Sequence, residues 1–240
     1  MKVSKNFYVG FRQINYDYTL KSSELLNLFV DVAGVQSEGI GDGYTSSYEK
    51  WILIGYNVKV FKKPEYATDI CLTTWSRNYN QVVASREFEV RDKNGDLCVV
   101  ALADFVRYDV KEKKLKKITG ELMDKYISEP ESTNFGGASL KKVVLDDTFD
   151  GAIDEFVDWK WLDLNRHMNN SHYVELAERV VEKVFEKSMH EFSFDVLYKK
   201  EITENSPIKV YYKKLDENEY KVIIKSADDK TVHAGIRFYK

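Results

Sequence analysis

The feature that most restricts what this chain can fold into is that it spells out one order of elements twice. Residues 6–20 read as a strand, with Phe7, Val9, Phe11 and Ile14 set among polar neighbours. Ser22-Ser23-Glu24 then offers a helix N-cap with an acid in the first turn. Leu25, Leu28, Phe29, Val32 and Val35 follow at helical spacing and predict one apolar face to about residue 37, where Gly39-Ile40-Gly41-Asp42-Gly43 stops it. Strand patterns over 52–61, 68–76, 81–92 and 96–109 complete the first copy, the last two joined by the turn signal Asp92-Lys93-Asn94-Gly95-Asp96. The second copy has a strand near 153–160, a helix whose face is Tyr173, Leu176, Ala177, Val180, Val181 and Val184, and strands near 192–201, 207–214, 219–226 and 231–239. Two local echoes share that order: Phe61-Lys62-Lys63 against Tyr198-Lys199-Lys200, and Ala103-Asp104-Phe105 against Ile236-Arg237-Phe238. The pattern predicts an α+β fold of two tandem units, residues 1–120 and 151–240. A short helix at Thr119–Tyr126 and an exposed linker centred on Ser128–Gly137 fill 121–150.

Composition removes several classes of function. Apolar residues make up 43% of the chain and charged residues 31%, enough for an ordinary core. A net charge of −3 argues against nucleic acid as a partner. No run of about 18 apolar residues exists and Met1–Asn6 leads into no signal-like segment, so a cytoplasmic protein without a membrane role is expected. Cys71 and Cys98 lie in apolar strand runs and read as buried, reduced thiols.

The chemistry concentrates in Trp161–Tyr173, which holds an acid, amides and two histidines just ahead of the second helix. Asp163, Asn165 and His167 make a poor metal site, with one imidazole and no thiolate, so no metal is expected. Asn170 reads as an N-cap, Asn169 as a turn holder and His172 as a surface or packing histidine. On residues alone, Glu201 reads as a solvated strand position beside Lys199 and Lys200.

Asp163-x-Asn165-x-His167-x-Asn169-Asn170-x-x-Tyr173, with Glu201 on a later strand, resembles the acyl-acyl carrier protein thioesterases of plants and bacteria. Trp51–Lys63 and Asp69–Trp75 extend the resemblance into the first copy. The resemblance implies a double hot dog, in which each unit wraps an antiparallel sheet around a long helix. It also implies hydrolysis of a fatty acyl thioester on an acyl carrier protein, with Asp163, Asn165, His167 and Glu201 at the catalytic centre. No cofactor is implied, because the substrate itself carries the phosphopantetheine. The family often has a cysteine directly after the glutamate, whereas here that position is Ile202 and the second half has no cysteine at all.

These groups suit the reaction. A thiol of pKa about 8.5 leaves readily as thiolate, so the task is to deliver water and hold an oxyanion. Glu201 can serve as base, His167 can share the proton or polarise the carbonyl, and Asp163 can orient the imidazole. Asn165 can hold water or the carbonyl. Backbone N–H groups at Asn169, Asn170 and Ser171 can face the oxyanion. Aligning the two copies sets Asn15, Asp17, Thr19 and Pro64 against Asp163, Asn165, His167 and Glu201, with 11 residues inserted in the first copy. That predicts one site per chain, with Leu28, Val32 and Val35 lining an acyl pocket in the other unit and the segment around Gly39–Tyr48 covering it. Docking of an acidic carrier falls to Lys113, Lys114, Lys116, Lys117, Lys199 and Lys200, although a solvated hairpin is an equal reading of the first run. A homodimer is compatible with the pattern. An acyl-CoA thioesterase and a non-catalytic acyl-binding protein are the alternatives, the second disfavoured by the full Asp163/Asn165/His167/Glu201 set.

Overall fold

A computed structural model describes residues 1–240. Its leading strand is shorter than the sequence pattern suggests. β1 covers Val3–Tyr8, and the chain then tightens into a 3-10 turn at Phe11–Gln13. The Gly10 N–H goes to the Gln13 side chain at 2.9 Å and the Gln13 N–H to Gly10 O at 3.0 Å. Backbone groups satisfied this locally cannot extend a ladder. The second copy breaks in the same way, with β7 at Gly151–Phe156 and a 3-10 turn at Trp159–Trp161.

The rest of the first copy follows as α1 (Ser22–Gly39), β2 (Glu49–Val60), β3 (Asp69–Tyr79), β4 (Val83–Asp92), β5 (Leu97–Asp109), β6 (Lys114–Lys116) and α2 (Gly120–Tyr126). The second copy continues as α3 (Asn170–Phe185), β8 (Ser193–Tyr198), β9 (Pro207–Asp216), β10 (Glu219–Ser226) and β11 (Val232–Tyr239). The strand order is β1-β3-β4-β5-β2 in the first and β7-β9-β10-β11-β8 in the second, with β6 beside β5. Position for position these are the same antiparallel topology. The chain divides into two compact units, Met1–Lys21 with Asn27–Leu140, and Ser22–Leu26 with Lys141–Lys240.

Each helix buries one stripe. In α3 that stripe is Tyr173, Val174, Leu176, Ala177, Val180 and Val181, and the Phe185 ring meets Tyr212 and Tyr220 of the sheet. Removing such side chains from water stabilises by roughly 1.5–3 kcal/mol each. In α1, Phe29 stacks on Phe88 with ring centroids 4.6 Å apart and lies 5.9 Å from Tyr56. Leu28 and Val32 are buried as the apolar pattern requires, but Val35 is 42% exposed. The buried line continues from Phe29 and Val32 to Gln36, at i, i+3 and i+7, so a polar amide ends the stripe. Lys21 occupies the N-cap position without a side-chain cap, and Ser22 and Ser23 are buried inside the first turn.

The segment after α1 is pinned. Asp42 accepts two hydrogen bonds from Arg107, at 2.7 and 2.8 Å, and others from Trp51 Nε1 at 2.8 Å and Tyr126 Oη at 2.6 Å. The expected exposed linker is likewise a strap laid on the outer face of the first sheet. Trp75 Nε1 donates to Ser132 O at 2.8 Å, and Glu87 accepts from Thr133 Oγ1 and the Asn134 N–H, both at 2.7 Å. Glu87 also holds Arg77 at 3.1 Å, with both side chains almost wholly buried. β4 therefore turns Glu87 toward the strap and Arg86 and Phe88 toward α1, as a period of two demands. Removing the acid leaves a buried guanidinium without its counter-charge. Glu87→Ala should lower the free energy of unfolding by about 3–5 kcal/mol, measured by urea denaturation, and an unchanged midpoint would refute this account of the strap.

Candidate functional site

The Asp163–His167 segment is a tight turn built by its own first residue. The Asp163 N–H donates to His167 O at 2.8 Å, and the Arg166 N–H to Asp163 O at 3.0 Å. Asp163 Oδ1 accepts the N–H groups of Asn165 at 2.7 Å and His167 at 3.2 Å, and Oδ2 accepts from Asn165 Nδ2 at 3.4 Å. An aspartate hydrogen-bonding the backbone two residues on is an Asx turn, and Arg166, at φ 62°, supplies the left-handed residue that closes it. Asp163 thus shapes the main chain around His167 and makes no hydrogen bond to the imidazole, in contrast to the orienting role expected from the sequence.

A second junction brings Glu201 to this turn. The Met168 N–H donates to Ile202 O at 2.7 Å, and His167 forms an antiparallel bridge with Thr203. β8 ends at Tyr198, so Glu201 lies in the connection that follows and not on a strand. The ladder stops because His233 O takes the N–H groups of Lys199 at 2.8 Å and Lys200 at 3.3 Å, while His233 Nδ1 meets Lys200 O at 3.0 Å. The Glu201 carboxylate is exposed, His167 is half-buried and Asn165 is exposed. Ile202, where the resemblance expects cysteine, is fully buried and is a core residue.

Tyr173 ties these pieces together. Its phenol is held protonated, well above the usual range, first by burial and then by the negative charges of Glu201 and Asp163, and it shares a backbone hydrogen bond with Ile202. Its ring meets Tyr198 edge-on at 5.5 Å, and Tyr198 Oη donates to Asn170 O at 2.8 Å. Sequence reasoning placed Tyr173 in the motif and on the apolar face of the helix but gave it no role at the site. The signal was available, since a tyrosine one turn into a helix that begins at the motif carries its hydroxyl into the polar cluster.

At the start of α3 the cap is Asn169, not Asn170. Asn169 Oδ1 accepts the Ser171 N–H at 3.0 Å and Ser171 Oγ at 3.1 Å. The Asn169 N–H goes to Trp161 O at 2.7 Å and the His172 N–H to Asn169 O at 2.9 Å. These bonds use three of the amides at this helix end, those of Asn169, Ser171 and His172, and do not engage that of Asn170. His172 pairs with Glu175 at 2.7 Å and stacks on Trp161, a packing role.

The first copy repeats the junction with different chemistry. Asn15 N–H donates to Thr19 O at 2.8 Å, Leu20 N–H to Pro64 O at 2.8 Å, and Thr19 bridges Glu65. Tyr18, at φ 67°, matches Arg166. Asn15, Asp17 and Thr19 therefore do correspond to Asp163, Asn165 and His167. Pro64, however, corresponds to Ile202, and the residue matching Glu201 is Lys63, so ten residues are inserted and not 11. Lys63 is buried, with its Nζ donating to Leu20 O at 3.3 Å. A buried cation stands where the second copy has its acid.

Two of the five lysines in the basic run at 111–117 are ion-paired. Lys114 pairs with Glu112 at 2.8 Å, and Lys116 faces Glu49 at 3.5 Å, Glu112 at 3.8 Å and Asp109 at 4.0 Å. No ion pair of this kind involves Lys113, Lys117, Lys199 or Lys200.

His233 was passed over in the sequence because only chain pairing brings it beneath Glu201. Burial is the main cause holding its pKa below the ordinary 6.5, opposed by hydrogen bonds to the Lys200 and Glu201 backbone and by the Glu201 charge, with the Lys200 charge adding to the depression. A histidine with a depressed folded pKa contributes stability that is present above 6.5 and is lost as pH falls toward the folded value. His233→Gln should therefore flatten the decline in stability below pH 6.5, measured by thermal unfolding across a pH series, and parallel profiles would contradict it.

Comparison with known proteins places this arrangement in context. The family model of the acyl-ACP thioesterase N-terminal domain matches residues 1–126, and that of the C-terminal domain matches residues 153–240. The dodecanoyl-[acyl-carrier-protein] hydrolase of Cinnamomum camphora is 25% identical over 189 residues, covering 70% of this chain and 47% of its own length. The chain thus spans about half the length of the plant relatives it matches. Among solved structures, an acyl-ACP thioesterase from Bacteroides thetaiotaomicron superposes with a TM-score of 0.84 at 19% identity, covering 99% of this chain and 97% of that one. The 12:0-ACP thioesterase from Umbellularia californica superposes with a TM-score of 0.82, also at 19% identity, covering 99% and 96%. The fold is the double hot dog of those structures.

Proposed function

Since the chain belongs to the acyl-ACP thioesterase family, we propose that it hydrolyses the thioester of a fatty acyl-acyl carrier protein and releases free fatty acid. The observation that carries this reading is the Met168 N–H to Ile202 O bond, which joins the Asp163–His167 turn to the segment bearing Glu201. A module that only held acyl chains would have no need of that junction with an acid on it.

In this reading Glu201 takes a proton from water as the water oxygen attacks the thioester carbonyl carbon. His167 polarises the carbonyl or shares the proton, and Asn165 holds the water. The Asn170 N–H faces the oxyanion at the helix N-terminus. When the tetrahedral intermediate collapses, the carbon–sulfur bond breaks and the thiolate of the carrier's phosphopantetheine leaves, to be protonated from solvent. Tyr173, kept neutral, fixes the Ile202 backbone beside Glu201 and acts as a positioning residue. Asp163 acts through the main chain of the turn. No thiol is required, and Ile202 offers none.

The acyl chain lies in the first unit, against the buried line of α1 that includes Leu28 and Val32. Lys63 in place of an acid leaves that unit without a base. The carrier docks through cations that have no internal carboxylate, Lys113, Lys117, Lys199 and Lys200. The site of action proposed is the cytoplasm, where release of the fatty acid would end or divert fatty acid synthesis.

Two measurements test the reading. Glu201→Gln should abolish single-turnover hydrolysis of carrier-linked acyl chains by several orders of magnitude while the circular dichroism spectrum stays native, and a fully active variant would overturn the assignment. Association with the carrier should weaken as ionic strength rises from low to physiological, because exposed charges are screened over about 8–10 Å. Salt-independent kcat/KM would remove the docking surface from this account.

A further inference from the structure

Three of the buried cations in this chain face carboxylates. Arg77 meets Glu87 at 3.1 Å, Arg107 meets Asp42 at 2.7 Å, and Lys221 meets Asp146. Arg86, 8% exposed in the middle of β4, has no acid beside it. Its Nη1 donates to Gln36 Oε1 at 2.6 Å and Thr74 Oγ1 at 3.2 Å, both neutral, and the guanidinium lies 5.7 Å from the Tyr126 ring centroid. Desolvation brings its pKa down to about 10. A buried guanidinium held only by neutral acceptors is costly unless an oxygen of another molecule completes it.

A second group in the same row has the same need. Arg86 pairs with Ala103 across β4 and β5, and Ala103 pairs with Tyr56 across β5 and β2. Arg86 and Tyr56 thus flank the methyl of Ala103, two strand spacings or about 10 Å apart at the backbone. Both point toward α1, Arg86 reaching Gln36 and the Tyr56 ring lying 5.9 Å from Phe29. Tyr56 is 1% exposed, and its hydroxyl has no hydrogen-bond partner. An orphan buried hydroxyl destabilises the fold by its lost hydration, and phenylalanine would avoid that cost at nearly the same volume. Around these donors the surfaces are apolar, with Phe29, Val32 and Phe88 buried there. The complement to an orphan hydroxyl and a guanidinium with no carboxylate beside it, in an apolar setting, is an oxygen atom on a hydrocarbon body.

We propose that the row Tyr56–Ala103–Arg86 beneath α1 is a specificity subsite that binds an oxygen substituent, hydroxyl, oxo or carboxyl, carried on the acyl chain of the substrate. The proposal rests on the reading that the first unit holds that chain, and it adds the chemical class of chain the unit selects. Gln36 at the end of the apolar stripe belongs to the same subsite, because it fixes Arg86 while its own Nε2 is anchored on Met1 O at 2.8 Å.

The test is a competition between carrier-linked acyl chains of equal length, unsubstituted or bearing a hydroxyl, an oxo group or a terminal carboxyl at successive positions. The full chain should favour at least one oxygenated chain by about tenfold or more in kcat/KM, since a site built around hydrogen bonds discriminates against analogues that lack them. Tyr56→Phe and Arg86→Met should collapse that ratio toward one, whatever happens to the absolute rates, and the substituent preferred separates the three oxygen sources. Tyr56→Phe removes a single atom and keeps the shape, so it remains informative if Arg86→Met does not fold. Equal preference in the wild type, or a ratio unmoved by Tyr56→Phe, overturns the subsite and leaves the hydrolase reading standing. If no thioester is cleaved, the hydrolase reading fails instead. The subsite is then judged by displacement of a fluorescent lipid with neutral N-methyl amides of the same chains. Tighter binding of an oxygenated amide, lost in Tyr56→Phe, supports it, and equal binding refutes it.

Discussion

The proposed site and its counterpart in the first unit both depend on a backbone hydrogen bond made twice, Met168 N–H to Ile202 O in one unit and Leu20 N–H to Pro64 O in the other. Each ties a turn that opens a helix to the segment that follows a strand far along the chain. The turn itself is fixed by a left-handed residue, Arg166 or Tyr18, at a φ that costs energy for a side chain with Cβ. Strain of that kind persists only where the surrounding bonds over-determine it, and the paired junctions do so. Because the scaffold is main chain, the side chains hung on it are free to diverge, and they have.

The divergence is a division of labour. The second unit keeps an acid at the junction beside a tyrosine held neutral, whereas the first carries a buried lysine there and places its polar groups deep under α1 instead. The first sheet is also polar on both faces of β4. Glu87 and Arg77 serve the strap on the outer face, where charge is matched with charge, and Arg86 serves the helix face, where it is not. Matched pairs hold the strap in place, and Arg86 on the opposite face is the donor of the proposed subsite.

Local signals made most of the architecture legible, and the failures were non-local. Helices with a 3.6-residue stripe, hairpins around Asp92–Asp96 and the duplicated order were all readable, since each is set by neighbours in sequence. Val35 was taken for the buried stripe because hydrophobicity was weighed over geometry, and Gln36 holds that place since its amide finds partners inside. The Lys-Lys echo set Pro64 against Glu201, one residue out of register, because like residues in sequence need not share a position in a ladder. Asp163 looked like a partner for the imidazole and serves the backbone of the same turn, a distinction that only atomic positions can draw. His233 came to light solely through the pairing of β11 with β8. The catalytic role proposed for the constellation rests on resemblance, and on residue types alone Glu201 would have passed as a solvated glutamate.

The edge strands β1 and β7 carry a consequence for how the molecule assembles. Each pairs not with its neighbour in sequence but with a strand beyond a whole helix and a further strand, Val3 with Thr74 and Gly151 with Tyr212. Closing such a long loop must be repaid by contacts formed afterwards, so these edges join late, after the β3–β5 and β9–β11 hairpins have zipped. A strand that docks last is also the easiest to release, and both β1 and β7 lead directly into the turn of their unit. Each turn therefore hangs from an edge strand, paired on one side within its unit, so the order of closure in folding reaches the polar cluster last.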